Sequence, residues 1–573
     1  MMVKRSQRKE AEMIAGRLAV LRTSAGVLIF CLLIVCFNYQ ILGKAGGRSL
    51  LVLARRQRLG RVSAGIPRGN ILDRYGVPLH DPEWGVACVA FPEFGSDREK
   101  VAKALEQVLG KERVLLEGDR WSGGVPVRIA GDLSSKTVQA LIALNRGGLE
   151  GVYVVPEERR YGPESLARHV VGYVPRNAYF DSADNVGQLG LERYLDGTLK
   201  GGDASWVGVV LAGDRSVFPG SSVRIGPGLQ PPEDVRTTID ACIQRIVERA
   251  MDAAGISKGA AVVLDVDTGE VLAMASRPDF RQDKPEASIG LPDAPFVNRA
   301  VSAFIPGSVY KTVIVAAALE SGAVEPHQRF QCNGSIKVGD REIRCTRAHG
   351  EITLEEALGY SCNCALIEIA LKTGPEKLLE FSKRAGFGKP TGIELPEESS
   401  GYLPEAGEML AGDVANLAIG QGYLGVTPLQ MAVFFRAIIS GELGRPTLLI
   451  PNGGKDLEAK VGSPGAQTPA RSPVRSSGTT IMSRETSELL RKSLLFGTTT
   501  GTGQPAWVPR LGSAGKTGTA EAGEGRLPHA WFVGFCPLVS PKYVICVFAE
   551  NGGEGPAVAA PLFREIALKI LAR

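Results

Sequence analysis

An excess of one charge, clustered histidines and paired cysteines at metal-binding spacing are all missing from this chain, and each absence removes a class of function. Lys and Arg number 66 against 61 Asp and Glu, a net of +5 with the two signs mixed throughout. Without a concentrated basic surface there is no electrostatic footprint for a nucleic acid, and none is expected as a partner. The five histidines (His80, His169, His327, His349, His529) are scattered, and neither H-E-x-x-H nor C-x-x-C occurs. No metal site and no cofactor are therefore expected. Long apolar runs are absent too, with one exception near the N-terminal end.

That exception runs from Thr23 to Gly43, 21 residues without a charge, dominated by Val, Leu, Ile, Phe and Cys. Its length suits a bilayer crossing, whereas the apolar part of a cleaved signal is shorter. Lys44 follows directly, with no convincing small-x-small cleavage site. The expectation is a short tail (1–22), an uncleaved single-pass anchor (23–43) and a large remainder on the far side. Charge does not orient the span, because six basic residues precede it (Lys4, Arg5, Arg8, Lys9, Arg17, Arg22) and six closely follow (Lys44, Arg48, Arg55, Arg56, Arg58, Arg61).

At 44% hydrophobic residues over 573 positions, the remainder can build at least two cores. It divides near residue 235, where Gly226-Pro227-Gly228-Leu229-Gln230-Pro231-Pro232 reads as a hinge. Ahead of the hinge lie short strand-like runs such as 151–155, and amphipathic helices at 98–109 and 134–145. Behind it, Asp240 is placed to cap a helix reaching about Ala254. Ala260–Val266 and Val271–Ala275 flank an Asp-Thr-Gly-Glu turn, a hairpin signature. A second strand pair (530–535, 543–549) and a terminal apolar helix (559–573) close the chain. Strands from both ends of this unit with a helical insert between them make a layered α/β domain. Residues 462–478, rich in Pro, Ser and Gly, read as a disordered surface loop.

Three short motifs stand in order on that second unit: Ser308-Val309-Tyr310-Lys311, Ser361-Cys362-Asn363 and Lys516-Thr517-Gly518-Thr519. Singly they are commonplace: a helix-capping serine with an exposed lysine, a local turn, a solvated basic turn. Together they spell S-x-x-K, S-x-N and K-T-G, the set that builds serine acyl-transfer sites. The apolar run Val313–Leu319 predicts a buried helix starting near Ser308, with unpaired backbone N–H groups beside the hydroxyl. One turn on, Lys311 shares the serine's face, and apolar surroundings should lower its pKa so that a neutral amine can act as base. Ser361 and Asn363 alternate along a loop and so can face one cleft. Lys516 and its threonines precede a strong strand; they are expected on a sheet edge, with Gly518 admitting a substrate backbone.

With these motifs in place, the chain resembles the class B penicillin-binding proteins, membrane-anchored peptidoglycan D,D-transpeptidases. Ahead of the catalytic motifs, Arg68-Gly69-Asn70-Ile71-Leu72-Asp73-Arg74-Tyr75-Gly76 is similar to the family's R-G-x-I-x-D-R-x-G box. Arg160-Tyr161-Gly162, His169–Val174 and Gly190–Tyr194 resemble its other non-catalytic segments, which a secreted β-lactamase lacks. Gly420-Gln421-Gly422, Val426–Gln430 and Ala530–Gly534 look like further landmarks. The resemblance implies a mixed α+β pedestal domain (44–235) and a β-lactamase-like transpeptidase domain (236–573) whose antiparallel sheet is flanked by helices. It implies Ser308 as nucleophile, Lys311 as base, and Ser361 with Asn363 as proton relay. Lys516, Thr517, Gly518 and Thr519 would bind substrate, and the N–H groups of Ser308 and Thr519 would form the oxyanion hole.

The partners implied are peptidoglycan stem peptides ending in D-Ala-D-Ala, β-lactams and a membrane glycosyltransferase of the division machinery, with the catalytic domain outside the cell membrane. The stretch Gln331–Gly334, Cys345 and His349-Gly350 looks more like the division and sporulation branch than the elongation branch. A carboxypeptidase or β-lactamase would use the same acyl-enzyme but pass it to water. Of ten cysteines, eight fall beyond the span. Cys332 and Cys345 flank a hairpin-like loop and are the candidates for a disulfide if they are not both reduced; Cys362 and Cys364 are too close to pair.

Overall fold

The computed structural model describes residues 2–40, 68–90, 98–110, 127–175 apart from 132, 148 and 150, 186–200, 232–451 and 478–573, with short strand segments at 44–45, 48–49, 59–63, 206–210 and 224–226. Helix α1 (Met2–Gln40) carries an apolar stretch, Met13–Tyr39, long enough to cross a membrane. Among the described residues, its exposed Leu, Ile, Val and Phe side chains are not buried by any protein partner. The helix starts earlier than the charge-free run; residues 41–43 of that run, the hinge at 227–231 and the loop at 462–477 lie outside the described residues.

The next unit sets three antiparallel strands, β1 (Glu83–Ala90), β2 (Val127–Ala130) and β3 (Val152–Arg159), in the order β2-β1-β3. Helices α2 (Arg98–Leu109) and α3 (Ser135–Arg146) stand where their amphipathic patterns predict, and Ser134 caps α3 through its side chain. Val101, Leu105, Leu141 and Cys88 form the small core between sheet and helices.

Three segments distant in sequence meet nearby. Glu192, fully buried, accepts from the Arg68 and Arg160 guanidiniums and from the Tyr161 hydroxyl. Arg68 also reaches Asp196 at 2.7 Å, and Arg160 reaches the Gly69 carbonyl at 2.7 Å. Burial alone would raise the Glu192 carboxyl; the two guanidiniums outweigh it and hold the group ionised, below the usual range. Removing one member would strand a buried charge, so the R-G, R-Y-G and G-L-E-R-Y boxes hold together as one ionic knot. The knot's neighbours are pinned to the second unit: Gly190 N–H donates to Glu397 at 2.8 Å, Ala167 N–H to Glu248 at 2.8 Å, and Arg168 pairs with Asp279 at 2.8 Å.

In the second unit, Asp240 caps α4 (Ala241–Ala253) by accepting from the N–H groups of Cys242 and Ile243. Strands β4 (Gly259–Asp265) and β5 (Val271–Arg277) form the expected hairpin. The helical insert begins with α5 (Lys311–Glu320). Then come β6 (Arg329–Cys332), the hairpin β7 (Ser335–Val338) and β8 (Arg341–Arg344), and β9 (Gly350–Thr353) paired with β6. Helices α6 (Leu354–Gly359), α7 (Asn363–Thr373), α8 (Pro428–Ser440) and α9 (Arg484–Thr499) follow. The chain returns to the sheet with β10 (Ala514–Ala520), β11 (His529–Cys536) and β12 (Tyr543–Ala549), and ends in α10 (Ala559–Leu571).

The five strands pair antiparallel in the order β5-β4-β12-β11-β10, so the two ends of the unit meet where β4 pairs β12, Val262 opposite Cys546. Period-2 alternation buries both faces. Ala261, Val263, Phe532, Ile545 and Val547 pack against α4 and α10, while Val262, Leu264, Trp531, Val533 and Phe548 join the core built with the helical insert. The layered α/β expectation holds, and β10 is an edge strand.

Candidate active site

The turn bearing Ser308 is held by four attachments. Gly307–Tyr310 is a 3-10 turn leading into α5, every residue of which from Lys311 to Ala318 is buried. Gly307 has φ +58, donates to the Gly420 carbonyl at 2.9 Å, and lies so close to Thr519 that a Cβ would stand 2.5 Å from its carbonyl oxygen. Gly420 in turn leaves room for the Gly307 carbonyl, which would lie 1.9 Å from a Gly420 Cβ. The Trp531 indole donates to Ile305 O at 3.0 Å, and Phe304 bridges to Val426. The landmarks read in the sequence at 420–422, 426–430 and 530–534 thus brace the serine turn. Ser308 itself is half-buried, at the accessible start of an otherwise buried helix.

Lys311 has no exposed surface. Its Nζ donates to Ser361 O at 2.7 Å, Asn363 Oδ1 at 2.6 Å and Ser361 Oγ at 3.3 Å. Those three acceptors fix the amine, while burial pulls its pKa down to about 8 against a smaller opposing pull from the nearby cysteines. Ser361 adopts φ +60, a left-handed conformation that turns its carbonyl and hydroxyl toward the lysine. Asn363 opens α7, and its amide nitrogen donates to Arg344 O at 3.0 Å, which leaves the amide oxygen for the lysine. The loop reading of S-x-N therefore becomes a helix entry, which is why both groups stay rigid.

Lys516 is 1% exposed on edge strand β10, and its Nζ donates to the Thr517 carbonyl at 3.0 Å. Burial, then the positive Lys311 close by, hold its pKa well below the usual lysine range. The two amines thus share one pocket. Thr519 Oγ1 accepts from Gly555 N–H at 3.1 Å and keeps its proton to donate. The remaining pair also make contacts within the protein. The Thr517 hydroxyl pairs with the Thr502 hydroxyl at 2.7 Å. Gly518 admits the protein's own turn, because a Cβ there would meet Pro306 O at 2.8 Å and Val309 at 3.0 Å. Its lack of a side chain lets the serine turn close on the sheet.

Sequence spacing did not reveal the sulfur cluster behind S-x-N. Cys332, Cys345, His349 and Cys362 bring their ligand-type atoms within 4.8 Å of one another. All ten cysteines are free thiols, so Cys332 and Cys345 are not bridged. Nor did spacing signal Thr502, Gly555 or Tyr360, whose ring stacks on His349.

Comparison with known proteins agrees with this geometry. Residues 259–568 match the penicillin binding protein transpeptidase domain, and residues 64–216 match the penicillin-binding protein dimerisation domain. The chain belongs to the class B penicillin-binding proteins. It is 35% identical to penicillin-binding protein PbpB of Mycolicibacterium smegmatis over 72% of this chain and 65% of that protein. It is 30% identical to stage V sporulation protein D of Bacillus subtilis over 94% of this chain and 83% of that one. Proteins named peptidoglycan D,D-transpeptidase MrdA also match, at 26% identity. The chain thus spans just under two thirds of the length of PbpB and a larger share of the sporulation protein. Among solved structures, a chain described under coordination of polymerization and crosslinking by a peptidoglycan synthase complex superposes with TM-score 0.70 at 27% identity, covering 97% of this chain and 98% of its own.

Proposed function

We propose that this class B penicillin-binding protein is a peptidoglycan D,D-transpeptidase working through an acyl-enzyme on Ser308. The observation that carries the reading is Lys311: a buried amine with a depressed pKa, one turn from Ser308 and bonded to both polar residues of S-x-N. Neutral Lys311 takes the Ser308 proton as Oγ attacks the carbonyl between the last two D-alanines. The oxyanion sits on the backbone N–H groups of Ser308 and Thr519; the close approach of Gly307 to the Thr519 carbonyl supports this reading. The tetrahedral intermediate collapses as Lys311, through Ser361 Oγ, returns the proton to the departing D-alanine nitrogen. The acyl group then passes to an amine of a neighbouring stem peptide, which loses a proton to the same base and regenerates Ser308. A β-lactam enters by the first step and stays on Ser308.

Lys516 and the Thr519 hydroxyl are the residues best placed to hold the terminal carboxylate. Lys516→Ala is expected to lower kcat/KM more for donors with a free terminal carboxylate than for amidated ones, by about 2 kcal/mol or more for a lost charge-assisted bond. Equal losses on both donors would remove this role.

Cross-linking separates the transferase from its hydrolytic alternatives. Given a donor pentapeptide and a labelled amine acceptor, the full-length protein is expected to join the two while releasing D-alanine. Release of D-alanine with no label incorporated would assign the site to a carboxypeptidase instead. We place the protein in septal or spore-wall synthesis, on the sporulation protein's 30% identity against 26% for the MrdA proteins, with elongation as the second reading that the MrdA matches support. The domain division near residue 235, a catalytic domain outside the membrane, and a glycosyltransferase partner contacting the pedestal belong to the same proposal. Of these, α1 supports the anchor, and the synthase-complex likeness supports the partner.

A further inference from the structure

The four groups behind S-x-N come from four different elements. Cys332 ends β6, Cys345 follows β8, His349 precedes β9, and Cys362 sits between α6 and α7. The separations are Cys345 Sγ to Cys362 Sγ 3.8 Å, Cys345 Sγ to His349 Nδ1 3.6 Å, and Cys332 Sγ to His349 Nδ1 3.4 Å. With zinc bonds of about 2.3 Å to sulfur and about 2.0–2.1 Å to nitrogen, the edges of a tetrahedron come to about 3.8 Å for sulfur–sulfur and about 3.6 Å for sulfur–nitrogen. These three spacings are close to those edges, and the other three lie within 4.8 Å. They are nearly double the sulfur–sulfur bond of a disulfide, about 2.05 Å.

The surroundings are those of a ligand set. Asn363 N–H donates to Cys345 Sγ at 3.2 Å, the kind of bond that stabilises a coordinated thiolate. Cys345 N–H donates to Gly334 O at 2.8 Å and His349 N–H to Cys332 O at 3.1 Å, so backbone bonds fix the ligand-bearing strand ends against each other. The His349 ring is stacked on Tyr360 at 5.4 Å, and Tyr360 is itself covered by the Arg347 guanidinium at 5.0 Å. That stack sets the ring's direction, with Nδ1 toward the sulfurs. Cys332 and Cys362 are fully buried, while Cys345 and His349 lie toward the surface and give an entry path.

We propose that Cys332, Cys345, His349 and Cys362 form a closed tetrahedral site for a thiophilic divalent ion of the zinc class, tying the β7–β8 hairpin to the S-x-N segment. Cys362 is the central residue of that segment, and its two neighbours hold Lys311. The ion is a positioning element: it touches no substrate and closes a four-residue set with no position left for water. The sequence hid it because the ligands are separated by twelve, three and twelve residues, so that no short cysteine pair announces them.

The test uses the full-length protein in detergent, purified under reducing conditions without chelator. Elemental analysis is expected to find one zinc per chain, falling to background in the Cys332→Ser/His349→Ala double variant. Cobalt(II) exchanged into the wild type should give an intense sulfur-to-cobalt absorption that the variant lacks; this holds the test open even where the variant folds poorly. Stripping the ion should slow fluorescent-penicillin labelling of Ser308, with zinc(II) restoring it. A wild-type chain that holds no ion, shows no sulfur-to-cobalt band, or carries a disulfide within the cluster when taken from its native compartment overturns the site. Labelling of Ser308 in those same samples reports the acyl-enzyme separately, so the two proposals fail independently.

Discussion

Ser308→Ala is expected to abolish covalent labelling by penicillin and all cross-linking while leaving the protein folded. The hydroxyl is half-buried at the start of the turn, whereas every attachment of that turn runs through backbone, Gly307, Gly420 or Trp531. Removing Oγ therefore disturbs no packing, and stability should change by no more than about 0.5 kcal/mol. Loss of a nucleophile that acts as a unit with its base costs turnover by a factor on the order of 10⁶. Intact-mass analysis after incubation with penicillin is the direct measurement. A full adduct on the alanine variant would place the nucleophile elsewhere and end the acyl-enzyme reading.

The second large effect concerns the base. With the Lys311 pKa drawn down to about 8, chiefly by burial, the ammonium form dominates below that value and the neutral form above it. General-base catalysis needs the neutral form, so the acylation rate constant should rise about tenfold per pH unit on the acidic side and level off above about pH 8. The sign follows from the depressed pKa: an unperturbed lysine would keep the rate rising past pH 10. Lys311→Ala should lose about 10²- to 10⁴-fold in acylation and with it this limb of the profile. Lys311→Arg should be as slow, since a guanidinium stays protonated. A profile flat from pH 6 to 9 in the wild type, or labelling at the wild-type rate by the arginine variant, would remove Lys311 from the proton transfer.

What could be read from the chain alone was whatever depends on near neighbours. The charge-free run announces α1, since apolar length needs no partner to be recognised. Asp240 ahead of an amphipathic stretch, and the Asp-Thr-Gly-Glu turn between two apolar runs, place α4 and the β4–β5 hairpin because caps and turns act within a few residues. Ser308 and Lys311 are legible for the same reason: helical geometry puts them one turn apart.

Contacts between residues far apart in sequence were settled by the tertiary structure. Lys311 obtains its acceptors from Ser361 and Asn363 only because α5 packs beside α7, and Glu192 finds its two arginines only once three distant boxes converge. Gly518 read as a gap for substrate, and its missing side chain also admits Pro306 O, a neighbour more than two hundred residues away in sequence. The sulfur–imidazole cluster lies within residues 332–362 and was still hidden. No local pattern marks it, because the groups converge only after the β6–β9 and β7–β8 pairings have formed and the turn at Ser361 has swung Cys362 inward. Sequence determines a helix or a turn through forces acting within a few residues; a site assembled from side chains hundreds of positions apart exists only after burial has brought their elements together.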